Sequence, residues 1–260
     1  ETLEDVYAGT ARFLVGLTKK VFIANIAGKF AEDYLSGDLL KATTTGVWFG
    51  IMMFAIQIYY DFSGYSDMAI GLGRIFGFHF LENFNYPYIA RSATEFWRRW
   101  HMSLGQFFRD YVYIPMGGNR RHQLLNLFVV WFLTGFWHGA SWNFILWGLW
   151  FGALIIIEKL FLLKVLKKVP VLSNIYLLFS VLIGWVLFYF TDLTSIKNCL
   201  AVMFGAAGKG FADASIGILL QNNVFWLILA VAFCLPIVPT VKRFIEERPE
   251  LTKISRYVQI

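Results

Sequence analysis

The sequence predicts an all-α polytopic membrane protein that includes re-entrant or interfacial helices. Hydrophobic residues make up 58% of the 260-residue chain, and charged residues only 15%. A soluble domain usually carries about 25% charged residues, so the deficit indicates that lipid surrounds much of the chain. The formal charge of +6 lies mostly at the ends of apolar runs. That placement favours contact with membrane lipid at a cytoplasmic edge over binding of nucleic acid.

The first third of the chain predicts three membrane-associated segments. Residues 5–31 have a helical pattern but carry one arginine and three lysines, as expected of an interfacial or partly inserted helix. Residues 43–60 form a good candidate span. Residues 61–78 are apolar but contain four glycines, Asp61 and Asp67, which predicts a second, irregular membrane segment. We expect the two aspartates to pair with arginines rather than to orient a histidine.

Residues 79–123 are aromatic and basic, unlike the segments around them. Apolar residues recur there at spacings of three and four, which predicts an amphipathic helix. These residues are Phe96, Trp100, Leu104, Phe107, Phe108 and Tyr111. Ser92 and Glu95 predict a capping box at its start, and the MGGN sequence at 116–119 predicts a turn after it. Because this helix is charged, we expect it at the interface or in the protein interior.

Four further helices follow from apolar runs at 124–137, 141–157, 174–190 and 223–239. Pro236 is expected to kink the end of the last run.

The distribution of lysines predicts the orientation of these helices. Residues 159–168 contain four lysines, so this loop is expected on the cytoplasmic side. The helix at 174–190 then leads outward, loop 191–221 has balanced charges, and the tail after Pro239 returns to the cytoplasm. The chain begins without methionine, in a charged helix, so we interpret residues 1–260 as a single membrane-embedded domain of an N-terminally truncated fragment.

His138 is a polar ring within an aromatic sequence, TGFWHGASWNFILWG. The fourteen residues before it rise only about 21 Å as a helix, whereas the hydrocarbon core is about 30 Å thick. His138 should therefore lie within the membrane and face a polar cavity inside the protein. Position alone leaves two interpretations about equally open, a functional histidine and a structural one hydrogen-bonded between helices.

His101 favours the functional interpretation, because a second histidine beside tryptophans lies on an element joined to 124–137 by a short turn. Alone, it would be read as a histidine on an interfacial helix. Neither an HExxH sequence nor a paired-carboxylate spacing is present, so no metal site is predicted. Cys199 and Cys234 are expected to be inert buried thiols. The absence of GxSxG argues against a hydrolase nucleophile elbow.

Three long blocks carry a resemblance to a known family. They are YYDFSGYSDMAIGLGRIFGF, NFNYPYIARSATEFWRRWHMSLGQFFRDYVYIPMGGNR and GFWHGASWNFILWG. With these blocks the chain resembles the membrane-bound O-acyltransferases, in the bacterial branch that acts in alginate O-acetylation and teichoic acid D-alanylation. The resemblance is strongest over residues 5–158. It implies transmembrane helices around a central tunnel, with His138 and His101 as the catalytic pair.

The resemblance also implies the substrates and the surroundings of that pair. An acyl group, most simply acetyl, would pass from acetyl-CoA or an acyl carrier protein thioester towards hydroxyls of an extracytoplasmic polysaccharide. An extracytoplasmic acyltransferase partner would assist, and no bound cofactor is expected. The expected location is the bacterial inner membrane. Residues expected to line the tunnel or bind the donor are Trp97, Arg98, Trp100, Arg109, Trp137, Trp142 and Asn143. The arginines could equally contact lipid headgroups.

Three alternatives remain open at this point. One is D-alanyl or other acyl transfer from a carrier protein to a cell-wall polymer. A second is a transporter that uses His138 as a proton relay, although the paired half-helices and internal symmetry of such proteins are not evident. The third is a nonenzymatic subunit of a membrane assembly.

Overall fold

The computed structural model describes residues 2–247, so the outer ends of the expected domain 1–260 lie outside the described residues. Every regular element in this range is helical, which confirms the all-α class. The helices are α1 (Leu3–Thr18), α2 (Asn25–Leu35), α3 (Thr44–Ile75), α4 (Ala93–Trp97), α5 (Met102–Phe108), α6 (Gln123–His138), α7 (Trp142–Ile157), α8 (Leu163–Leu166), α9 (Pro170–Tyr189), α10 (Leu193–Met203), α11 (Ala214–Asn222), α12 (Val224–Ala232) and α13 (Ile237–Glu246). Short 3₁₀ turns occur at Leu39–Lys41 and Pro87–Ile89, and π-helical stretches at Lys19–Ala24, Arg109–Tyr113 and Glu158–Leu162.

Helices α1 and α2 form one continuous rod, because the π-helical stretch between them keeps the backbone helical. The rod lies antiparallel along α3, and glycines bring the two backbones together. A Cβ built on Gly9 would lie 2.6 Å from the carbonyl oxygen of Gly71, and one on Gly16 would lie 2.5 Å from that of Gly64. Neither distance leaves room for a methyl group.

The expectation of a separate, irregular segment at 61–78 is wrong, since α3 runs unbroken from Thr44 to Ile75. Its glycines serve close packing rather than a break. Asp67 is buried and pairs with Arg12 and Lys19, with nitrogen–oxygen distances of 2.6 Å in both cases. Asp61 pairs with Lys20. The aspartates therefore bind cations, as expected, but two of the three partners are lysines.

The single amphipathic helix expected from Phe96 to Tyr111 is interrupted. Helix α4 ends at Trp97, a turn follows, and α5 begins at Met102. His101 within this turn has φ +46°, a left-handed conformation that a non-glycine residue rarely adopts. The Ser92 cap is present, since its hydroxyl accepts the Glu95 N–H at 3.0 Å. The reciprocal bond of a capping box goes to the Arg91 N–H instead of the Ser92 N–H.

Helices α6, α7 and α9 occupy the predicted apolar runs, with α6 and α7 packed as a hairpin. Side chains of α3, α4, α7 and α9 meet in an aromatic core. Its largest fully buried members are Trp147, Trp185, Tyr60, Phe96 and Phe151.

Among the described residues, α9 is the one helix that alone is both long and apolar enough to cross a membrane. Helices α11 and α12 would together give a second, but they meet at a 70° bend. The expected span at 223–239 is therefore wrong in its extent, because α12 ends at Ala232 and Pro236 caps α13.

Candidate active site

A cavity of about 590 Å³ lies where α3, the turn between α4 and α5, α6, α7 and α9 approach one another. Its wall is rich in aromatic side chains, and both His101 and His138 contribute to it. The aromatic lining residues are Phe62, Trp97, Trp100, Phe108, Trp131, Trp147, Trp185 and Phe188. Polar contributions come from Thr94, Arg98, Gln106, Arg109 and Thr134.

His138 is the last residue of α6 and is held by aromatic rings alone. Its imidazole makes edge-to-face contacts with Trp147 and Trp137, with centroids 4.9 Å away in each case, and with Phe188 at 5.2 Å. No hydrogen bond to either ring nitrogen is present in the part of the chain that the structure describes. The nitrogens are therefore free to bond a ligand or water.

His101 is held differently, by a polar contact on one ring nitrogen. Its Nδ1 lies 3.3 Å from the Asn83 Oδ1 atom, which also accepts the Ser103 backbone N–H at 3.1 Å. Since a backbone N–H can only donate, the Asn83 atom that faces it is assigned as the oxygen, and the Ser103 hydroxyl donates to the same oxygen at 2.9 Å. A hydrogen on the His101 Nδ1 is the assignment that suits both neighbours of this nitrogen, the Asn83 oxygen and the Ser103 hydroxyl oxygen 3.4 Å away. That tautomer leaves a lone pair on Nε2.

Trp137 connects the two histidines. Its ring lies 6.0 Å from the His101 ring and 4.9 Å from the His138 ring, measured between centroids. Although it was expected to line the site, it is 56% exposed and touches the histidines from the side.

The structure places the other expected site residues unevenly. Trp97, Trp100, Arg98 and Arg109 line the cavity, whereas Trp142 and Asn143 do not. Trp142 is the first residue of α7 and is 69% exposed.

Asn143 is fully buried, and neither polar atom of its side chain has a partner among the described residues. The same holds for the indole N–H groups of three tryptophans that line the cavity, Trp97, Trp147 and Trp185. Buried polar groups usually have partners, so this cluster of unpaired groups is unusual.

The positive charge of the arginines in this region is partly neutralised. Arg109 donates to Asp110 at 2.7 Å, and this hydrogen bond and charge hold the pKa of the Asp110 carboxyl below its usual range. Arg99 pairs with Glu95 at 2.9 Å. Arg98 remains the lining arginine without a carboxylate partner among the described residues.

Sequence reasoning missed two polar residues, Asn83 and Glu158. Asn83 lies before the periodic part of residues 79–123, and its signal in the sequence was its place at the start of the NFNYPY block. Glu158 carried a signal, since it is a lone carboxylate directly after the seventeen uncharged residues 141–157. Among the described residues, no group of three or more histidine, cysteine or acidic side chains could hold a metal ion.

Comparison with known proteins identifies the family of the chain. Residues 4–196 match the model of the membrane-bound O-acyltransferase family. The chain is 41% identical over 233 residues to a probable alginate O-acetylase of Azotobacter vinelandii, with 88% of this chain and 46% of that protein covered. It is 37% identical over 221 residues to a peptidoglycan O-acetyltransferase of Helicobacter pylori, covering 81% and 41%.

A more distant relative is a teichoic acid D-alanyltransferase of Streptococcus thermophilus, 30% identical over 184 residues, with 63% of this chain and 43% of that protein covered. The chain thus spans less than half the length of each of these relatives. The family model covers well over half of the chain, including both histidines. The chain belongs to the membrane-bound O-acyltransferase family.

Proposed function

We propose that the protein containing this chain transfers an acetyl group from a cytoplasmic thioester towards hydroxyls of an extracytoplasmic polysaccharide. The observation that carries the proposal is that His101 and His138 line one aromatic cavity and that the His138 nitrogens are unoccupied by described protein groups. A histidine can act as a general base near neutral pH. Family membership supports acyl transfer over the transporter and the nonenzymatic subunit.

His138 is proposed as the catalytic base. Its free imidazole nitrogen accepts the proton of an acceptor hydroxyl while that oxygen attacks the thioester carbonyl carbon. The carbon–sulfur bond then breaks, and the departing thiolate takes a proton from the imidazolium. The ester product and the free thiol balance the reaction.

His101 is proposed to bind the same reacting groups as His138. Because Asn83 fixes the hydrogen on Nδ1, the Nε2 lone pair is available to accept a hydrogen bond from a hydroxyl or from a protonated intermediate. The aromatic wall restricts bulk water, which would otherwise hydrolyse the thioester.

The donor is proposed to be acetyl-CoA or an acyl carrier protein, approached from the cytoplasmic side. Arg98 provides a positive charge at the cavity wall and favours the anionic phosphates of either donor. Trp97, Trp100 and Trp137 are proposed to contact the acyl end. A polytopic arrangement in the bacterial inner membrane, with an extracytoplasmic acyltransferase partner, would carry the acetyl group to the polymer.

The named relatives support acetyl as the acyl group. The two more similar ones are named for alginate and peptidoglycan O-acetylation, and each is matched over more than four-fifths of this chain. The D-alanyl alternative is favoured by weaker matches to teichoic acid D-alanyltransferases, of which the one described above covers 63% of this chain.

The test uses the full-length protein in membranes together with its polymer-producing system. Radiolabelled acetyl-CoA, or in a second sample a radiolabelled acetyl carrier protein thioester, is supplied on the cytoplasmic side, and label is measured in the polysaccharide. We expect protein-dependent labelling from the acetyl donor and none from a D-alanyl carrier protein. Labelling from the D-alanyl donor alone would support the alternative, and labelling from neither would contradict acyl transfer by this protein.

A further inference from the structure

Glu158 is a carboxylate that the proposed reaction does not use, yet it is fully buried. It follows α7 directly and begins a π-helical stretch. Its Oε1 accepts the Ala93 N–H at 2.6 Å and the Tyr176 hydroxyl at 3.2 Å. Its Oε2 accepts the Thr94 N–H at 2.9 Å and the Thr94 hydroxyl at 2.6 Å. The carboxylate therefore joins the end of α7 to the first turn of α4.

The chemistry of the four donors fits a carboxylate and no neutral isostere. An ionised carboxyl has two oxygens that only accept, which matches two N–H groups and two hydroxyls. A glutamine would turn an amide NH₂ group towards at least one of these donors. Charge-assisted bonds to backbone N–H groups at a helix start are also stronger than neutral ones.

Helix α4 connects this attachment point to the cavity, because its last residue packs in the cavity wall. Trp97, at its end, packs edge-to-face on Trp131 and Trp147, with centroids 5.1 Å and 5.4 Å away. The turn that contains His101 follows immediately. Upstream, the Asn174 side chain of α9 donates to the carbonyls of Ile89 and Ala90. The segment that leads to His101 is thus tied at its start to both α7 and α9.

We infer that Glu158 is a positioning residue that fixes the start of α4 and, through it, the place of His101 in the cavity. A role of Glu158 in catalysis rests on the proposed function, whereas its effect on the position of His101 does not depend on that function. A residue that serves only global stability would leave the reactivity of His101 unchanged in folded protein. The two roles can therefore be separated by a direct probe of the imidazole.

The experiment compares wild type, Glu158→Gln and Glu158→Asp in the full-length protein in membranes. Diethylpyrocarbonate modifies accessible imidazoles, and mass spectrometry gives the rate at each histidine. We expect Glu158→Gln to raise the His101 rate several-fold, with the rate at exposed His79 unchanged. Glu32→Gln, which removes an exposed carboxylate on α2, is the matched control and should match wild type at every histidine.

Acyl transfer is measured on the same samples. We expect kcat to fall about tenfold or more in Glu158→Gln, because small displacements of reacting groups have large effects on rate. The donor KM should rise as well, because Trp97 and Arg98, which are proposed to contact the donor, lie at the end of α4 and directly after it. Glu158→Asp keeps the charge but is shorter by one methylene group, so it should give a smaller change in both measurements.

The possible outcomes are distinct. An unchanged His101 rate in folded Glu158→Gln overturns the inference. If Glu158→Gln does not fold, Glu158→Asp decides: a wild-type His101 rate assigns the residue to stability alone, and a raised rate supports positioning. If wild type shows no acyl transfer but Glu158→Gln raises the His101 rate, the proposed function fails while the positioning role stands.

Discussion

The protein holds its two cavity histidines in different ways, and the difference suggests a division of roles. The His138 ring contacts aromatic rings and makes no hydrogen bond with the described residues, so it can bond a substrate hydroxyl without first breaking a protein hydrogen bond. His101 has one nitrogen committed to Asn83, which fixes its tautomer. This arrangement suits a base at His138 and an oriented hydrogen-bond acceptor at His101.

Replacing His138 by alanine should remove the base without disturbing the fold, because the side chain makes no hydrogen bond with the described protein. We expect acetyl transfer to fall by about two to four orders of magnitude, the range associated with loss of a general base. The assay is transfer of labelled acetyl to polymer, with protein level and membrane insertion measured in parallel. His79→Ala, at an exposed histidine, should retain wild-type activity. Near-normal turnover in His138→Ala would contradict the assignment.

Replacing Asn83 by alanine should affect the reaction through His101. The change removes the acceptor for the His101 Nδ1–H and leaves the Ser103 N–H unpaired, so the ring loses its fixed orientation. We expect kcat to fall roughly tenfold, with the donor KM little changed. Asn222→Ala, at an exposed asparagine that ends α11, provides the control. An equal loss in both variants would indicate a general effect on folding.

At the level of elements, sequence periodicity located α6, α7 and α9 because their apolar runs are long and uninterrupted. It failed at α3, where Gly64 and Asp67 looked like interruptions. In the structure these residues meet α1, where a glycine allows close backbone contact and a cation neutralises the carboxylate. Local sequence carries no information on such a partner, so a break was the natural but wrong prediction.

The prediction of one continuous helix across α4 and α5 was wrong for the opposite reason, because here the sequence shows no interruption. No proline or glycine lies between Phe96 and Leu104, so propensity alone favours a continuous helix. Instead, Met102 donates its N–H to the Asn83 carbonyl at 3.0 Å, and Asn85 donates to the Arg99 carbonyl at 2.9 Å. These long-range bonds offset the left-handed conformation of His101. The sequence singled out the two histidines that line the cavity, but it could not predict the orientation of the His101 ring.

The glycine contacts between α1 and α3 give a test at this scale. Gly16→Ala would place a methyl group 2.5 Å from the Gly64 carbonyl oxygen, so the helices must separate. We expect a loss of about 1–3 kcal/mol in the free energy of unfolding, the usual effect of overpacking. Gly217→Ala is the control, because this helical glycine in α11 has no neighbour within 4 Å of an added Cβ. It should be neutral or slightly stabilising, since alanine favours helix.

Thermal unfolding of the detergent-purified protein compares the two glycine variants. Equal midpoints for Gly16→Ala and Gly217→Ala would contradict a close α1–α3 contact in the membrane.

Across the whole molecule, charge and aromatic surface occupy separate regions. The α1–α3 contact gathers Arg12, Lys19 and Lys20 against Asp61 and Asp67, so that ionised side chains within apolar helices are neutralised locally. The histidine cavity lies on the other side of α3, enclosed by tryptophans from α4, α6, α7 and α9. The single lining arginine without a carboxylate partner, among the described residues, is Arg98. The proposed attraction of an anionic donor would therefore depend mainly on Arg98, and on the side of the membrane from which the donor arrives.

The orientation of α9 determines which loops of the chain lie on the cytoplasmic side of the membrane. The helix has 20 residues and rises about 30 Å, enough to cross the hydrocarbon core. Lys164 and Lys209 are both exposed and lie before and after it in the chain, so a spanning α9 places their two loops on opposite faces of the membrane. The excess of lysine before α9 predicts that Lys164 is cytoplasmic.

A cysteine at position 164 should therefore resist a membrane-impermeant maleimide in intact cells and react after permeabilisation. A cysteine at position 209 should react without permeabilisation. The native Cys199 and Cys234 are buried and should give little background. Labelling of position 164 in intact cells, with position 209 protected, would reverse the orientation and place the thioester donor on the opposite side from the one proposed.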